Sequence, residues 1–161
     1  MSDYRVASEP FAPSRAIIGI AAGFVVAAVV GGAVAHEGAT GVVAERMVVM
    51  EGIADHMKAL GAMVSDIVPF DAEAAQTDAE HIHEGAKQAA DLFPPGSHGH
   101  HTEALPAVWA DRATFNDMMD RFAAESAALI DAANSGDRAW LAAQFKEVGA
   151  VCSGCHEAFR E

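Results

Sequence analysis

From His36 onward the chain contains no run in which apolar and polar residues alternate as a half-buried strand requires, whereas four segments repeat apolar residues at intervals of three and four. That periodicity restricts the fold to helices packed on one another. The first segment runs from about Val42 to Val64 and steps through Val43, Met47, Met50, Ile53, Met57, Leu60 and Val64, with Glu45, Glu51, Asp55 and Lys58 on the opposite side. A Pro69-Phe70-Asp71 turn leads into an alanine-rich second segment with an inner stripe of Ile82, Ala86, Ala89 and Phe93, small enough for close helix approach. The stretch PPGSHGHHTEALPAVW then reads as the long connection, because prolines and glycines cannot continue a helix.

A third helix is expected from about Asp111 to Ala133, with Phe115, Met119, Phe122, Ser126 and Leu129 on one face. Asn134-Ser135-Gly136 ends it with glycine at a left-handed cap, and Asp137 caps the last helix. Leu141, Phe145, Val148, Cys152, Cys155 and Phe159 form the inner stripe of that helix. Short, long and short connections between four amphipathic helices describe an all-α, antiparallel four-helix bundle, a fold that builds cofactor sites between facing helices.

The only two cysteines of the chain sit in Cys152-Ser153-Gly154-Cys155-His156. Three chemistries use such a pentad. A redox dithiol needs the start of a helix after a strand, where the helix N-terminus lowers the thiol pKa, and this motif instead ends a long helix. Structural zinc needs four ligands, and no second cysteine pair exists, although histidines could contribute. The third is covalent haem, in which two thioethers hold the porphyrin edge and the adjacent histidine takes the iron. On a helix the spacings of three and four put Cys152, Cys155 and His156 on one face, so the thiols reach one porphyrin edge while the imidazole turns under the iron. With aromatics at only 7% and alanine abundant, a large buried cofactor would also fill core volume that side chains do not.

Residues 16–35, AIIGIAAGFVVAAVVGGAVA, are uncharged, preceded by Arg5 and Arg15, and closed by Ala33-Val34-Ala35. This pattern reads as a secretory signal peptide over residues 1–35, cleaved before His36, with residues 36–161 as one exported domain. An uncleaved anchor is the alternative, since twenty apolar residues can span a bilayer. A formal net charge of −13 argues against nucleic acid and anionic lipid and for redox partner proteins with basic docking surfaces. No Asp-His-Ser set accompanies the eight histidines, so the chain reads as a carrier and not an enzyme. His98, His100 and His101 in the long loop, and His36 at the expected mature N-terminus, are candidates for a second metal, against the plainer reading of a solvated loop.

VGAVCSGCHEAFR at the end, ALPAVWADRATF before the third helix and AERMVVMEGI in the first together resemble the cytochrome c-prime family, the class II c-type cytochromes. The resemblance covers the whole expected mature domain. It implies one haem c bound through Cys152 and Cys155 with His156 as proximal ligand. In the family an arginine early in the first helix is followed four residues later by the side chain facing the distal side of the haem, and Arg46 and Met50 occupy those places. Members with methionine there resemble electron carriers with His and Met on the iron; members with a non-coordinating residue leave it open to NO and CO. Met50 therefore implies a periplasmic electron carrier, with a five-coordinate gas-binding protein as the alternative, although Met47 and Met57 share much of the same helix face. Arg46 is a candidate for a haem propionate, its alternative being an exposed ion pair with Glu51. Arg160 matches a basic residue beside the proximal histidine, its alternative being the helix dipole. The family also implies homodimers that pair through the first helix.

Overall fold

The computed structural model describes residues 38–99 and 101–161, so the expected signal peptide and its cleavage point lie outside the described residues. Five helices follow in order: α1 Val42–Val64, α2 Ala72–Asp91, α3 Ala107–Ala110, α4 Arg112–Asn134 and α5 Arg138–Phe159. The four long ones form the bundle. Local chemistry sets their ends. The Asp71 carboxylate accepts from Ala74 N–H at 3.0 Å and Asp111 from Thr114 N–H at 3.3 Å, while Asp137 accepts from both Ala139 and Trp140 N–H. Gly136 takes φ 72°, the left-handed conformation that stops α4 and that a side chain would resist.

The single turn α3 departs from expectation, because the sequence places Ala107–Ala110 in the non-helical connection. Pro106 precedes it, and a proline at the entrance of a helix removes only an N–H that the first turn leaves unpaired. Proline therefore opens a turn here where its presence suggested none.

The expected stripes of α2 and α4 are buried throughout, from Ile82 to Phe93 and from Phe115 to Leu129. On α1 only Ile53 and Leu60 of the stripe are fully buried, and Met47, Met50 and Met57 are half-covered. On α5, Leu141, Val148 and Phe159 are buried, as is Val151, whereas Phe145, Cys152 and Cys155 are half-covered. One geometric fact accounts for both sets. Helix α1 packs along α2, α2 along α4, and α4 along α5, but α1 and α5 barely meet.

Small residues close the other seams. A Cβ added at Gly85 of α2 would lie 2.6 Å from Ile53 Cγ1 of α1, so only glycine admits this approach. Ser126, fully buried on α4, is bonded to His83 of α2 at 3.0 Å. Between α1 and α5 the comparable contact is a pivot, where Gly61 faces the Phe145 ring at 3.0 Å from its missing Cβ. Beyond that pivot the two helices part. No helix among the described residues is long and apolar enough to cross a membrane.

Candidate functional site

Two adjoining cavities occupy the gap between α1 and α5. The first, about 360 Å³, is bordered by Arg46, Met47, Met50 and Glu51 of α1, by Thr102 and Glu103 of the long connection, and by Cys155, His156 and Arg160 at the C-terminus. The second, about 280 Å³, is apolar and bordered by Met50, Met57, Met118, Met119, Phe122, Val151, Cys152, Cys155 and His156. Each has the size of a small-molecule site. Met50, Cys155 and His156 border both, so the α1 methionine and the α5 pentad face one continuous space. All six residues singled out from the sequence, Arg46, Met50, Cys152, Cys155, His156 and Arg160, lie on its walls.

The helix α5 delivers the pentad as its spacing requires, since Cys152 and Cys155 are one turn apart and His156 adjoins the second thiol. Burial pushes the Cys152 thiol up, with the neighbouring Cys155 adding to it, and burial alone pushes Cys155 up. Thiols held protonated in this way are the opposite of the activated thiolate that a redox dithiol needs. The His156 imidazole is held below its ordinary range, first by burial and then by Arg160, with Glu103 opposing. That shift favours the neutral imidazole, the form that offers a ring nitrogen to a metal. Among the described residues no group of three or more His, Cys, Asp and Glu side chains is arranged to hold a metal ion, so the pentad gathers no zinc set there.

Arg46 is 5% exposed, and among the described residues it makes no ion pair with Glu51. Its Nε donates to Leu92 O at 3.1 Å, Nη2 donates to Leu92 O at 2.8 Å and to Ser97 Oγ at 3.0 Å, and Nη1 donates to Thr102 Oγ1 at 2.8 Å. The guanidinium also lies 4.0 Å from the centre of the Phe93 ring. These bonds use four of its five N–H donors. Every partner is neutral, and among the described residues no carboxylate pairs with it. A buried cation without a counter-ion, on the wall of a cavity, is the donor set an anionic group of a ligand would complete. Haem fits these residues: paired thiols and an imidazole on one wall, apolar packing in the middle, and an uncompensated cation at one end.

Arg160 is the C-cap of α5, its N–H donating to His156 O at 3.1 Å. Helix α5 ends at Phe159, and Arg160 turns extended to pair its backbone with Ala104 while its guanidinium engages the Glu103 carboxylate, Nε to Oε2 at 2.6 Å. Thr102 and Glu103 were invisible as site residues in the sequence, because nothing in a proline- and glycine-rich connection indicates which residue will return to a helix. Val151 was the nearest miss, since it extends the α5 stripe by one position. Of the loop histidines, His98 tilts against Trp109 with ring centres 5.3 Å apart, and His101 adopts φ 73° with its ring against Gly38. His36 and His100 lie outside the described residues.

The family model for cytochrome C′ matches residues 41–160. Cytochrome c′ of Rubrivivax gelatinosus is 40% identical over 110 residues, 68% of this chain and 85% of that protein. Cytochrome c-556 of Agrobacterium tumefaciens is 32% identical over 120 residues, 74% of this chain and 97% of that protein. Among solved structures, a nitric oxide complex of a point variant of cytochrome c prime from Alcaligenes xylosoxidans superposes with a TM-score of 0.70 at 30% identity, covering 74% of this chain and 94% of that one.

Proposed function

This chain belongs to the cytochrome c′ family, and from that premise we propose that it is a c-type haem protein that binds a small neutral gas, NO or CO, in the seam between α1 and α5. The observation that carries the reading is the apolar cavity running from Met50 to His156, in a chain similar to a relative whose structure was solved with nitric oxide bound. When bound, haem would supply an iron able to exchange one electron and to take up a diatomic gas.

The chain's own groups divide the work. Cys152 and Cys155 would hold the porphyrin edge as thioethers, and His156 would offer a ring nitrogen to the iron. Arg46 offers its remaining N–H and its uncompensated charge to a propionate. Arg160, next to His156, disfavours further positive charge on that side. Met57, Met118, Met119 and Phe122 keep water out and give an apolar gas a favourable place to dissolve. The compartment is the periplasm, reached by the residue 1–35 signal. Any redox partner meets an acidic surface and is therefore basic. Pairing through α1 into a homodimer is compatible with the exposure of Val48, which is 69%.

One observation favours the second reading, a periplasmic electron carrier. Met50 borders both cavities together with His156, and a thioether on the iron would raise the reduction potential and fill the gas site. Titration of the ferrous wild type with CO separates the two. Saturable binding at micromolar CO supports gas binding. A ferrous protein indifferent to CO, which becomes responsive in Met50→Ala, transfers the assignment to electron transport.

A further inference from the structure

The two helices that face each other across the cavities are joined, away from the Gly61–Phe145 pivot, by adjacent residues of the long connection. Thr102 Oγ1 accepts from Nη1 of Arg46 on α1 at 2.8 Å. Its neighbour Glu103 accepts from Nε of Arg160, just past the end of α5, at 2.6 Å, and pairs with Nη2 of the same guanidinium. Backbone bonds add to the second attachment: Leu105 N–H donates to Phe159 O and Glu161 N–H donates to Glu103 O, both at 2.9 Å. Arg46 lies one helical turn before Met50, and Arg160 lies one turn after His156. A dipeptide thus connects the turn that carries the distal methionine to the turn that carries the proximal histidine.

We propose that Thr102-Glu103 is a strap that sets the distance between α1 and α5 at the mouth of the site, and that Thr102 and Glu103 are positioning residues for Met50 and His156. The proposal rests on the haem reading above and deepens it. Stability alone does not explain the arrangement. The Glu103–Arg160 pair is half-exposed, 51% and 50%, and exposed pairs contribute little. Its value is geometric, because it converts a flexible connection into a tie between two helices that have almost no direct contact. A loosened tie lets α1 withdraw from α5, which widens access to the distal side and changes how close the Met50 sulfur stands to the iron.

The test uses the holoprotein and the variants Thr102→Val, Glu103→Gln and their combination, with Glu103→Asp as the conservative control. Covalent haem is first established by the pyridine haemochrome spectrum. Two quantities are then measured, CO association after flash photolysis of the ferrous protein and the haem reduction potential. The potential reads the strap even where Met50 closes the wild type to CO. The expected result is CO association faster by roughly fivefold in either single variant, or a displaced potential where CO does not bind. The double variant goes no further than the singles because both cut one tie. Glu103→Asp stays near wild type. If haem is attached and both quantities equal those of wild type while only the melting temperature falls, the strap is structural and the proposal is overturned. Failure to attach haem at Cys152 and Cys155 would instead overturn the haem reading, and the strap with it.

Discussion

The seam between α1 and α2 and the seam between α1 and α5 use the same helix for opposite ends. Toward α2, α1 presents Ile53 to a glycine so close that an added Cβ would lie 2.6 Å from its Cγ1, and His56 bonds Asp78 across the same seam at 2.8 Å. Toward α5 it presents Met47, Met50 and Met57, long and flexible side chains that border space. The first seam is closed by small residues, and the second is bounded by the Gly61–Phe145 contact and the Arg138–Asp66 ion pair at one end and the Thr102-Glu103 tie at the other. A bundle makes room for a large planar group by failing to pack along one seam while overdetermining the others.

The contrast makes graded predictions. Leu60 is fully buried, so Leu60→Ala should cost about 2–5 kcal/mol by thermal or denaturant unfolding. Gly85→Ala should cost about 1–3 kcal/mol, since its new Cβ meets Ile53 Cγ1 at 2.6 Å and either the Ile53 side chain or the backbone must shift. Met57→Ala, one turn from Leu60 but bordering a cavity, should cost the apoprotein less than about 1 kcal/mol, because its side chain already lacks neighbours on one side. A loss at Met57 as large as that at Leu60 would mean that the seam is closed in solution.

A smaller effect concerns the thiols. Both cysteines titrate above their ordinary value in the folded apoprotein, so at pH 8 they carry less thiolate than in an unfolded chain. Iodoacetamide should therefore modify the folded apoprotein more slowly than the same protein in denaturant. The linked stability has a definite sign. A group with a raised folded pKa gives up stability as pH rises, and the apoprotein should weaken from about pH 8.5, the ordinary thiol value, upward.

Much of this arrangement is legible in the sequence where it depends on neighbours along the chain. The bounds of α1, the caps at Asp71, Asp111 and Asp137 and the shared face of Cys152, Cys155 and His156 follow from spacing within one helix. The site residues converge because three local patterns meet in a bundle. What depends on return of the chain from far away is not legible. The resemblance marks Arg46 as a propionate candidate, but only the fold shows it buried against Leu92, Ser97, Thr102 and the Phe93 ring. Glu103 gives no sign that it will meet Arg160, 57 residues later. The half-coverage of the α1 methionines is of the same kind, because periodicity identifies an inner face without saying which part of it will find a partner. Among the α1 methionines, only the family resemblance, through its place four residues after Arg46, singles out Met50.

The central claim is that haem occupies the open seam with Met50 beside its iron, and methyl NMR of the ferric holoprotein with labelled methionine tests it most directly. Paramagnetic iron shifts and broadens the methyl groups near it. The account predicts that the Met50 methyl is the most strongly displaced, that Met47, Met57 and Met119 follow, and that Met63, buried at the far end of α1, stays at its ordinary position. A Met63 methyl displaced more than that of Met50, or a Met50 methyl left at its ordinary position, would contradict it.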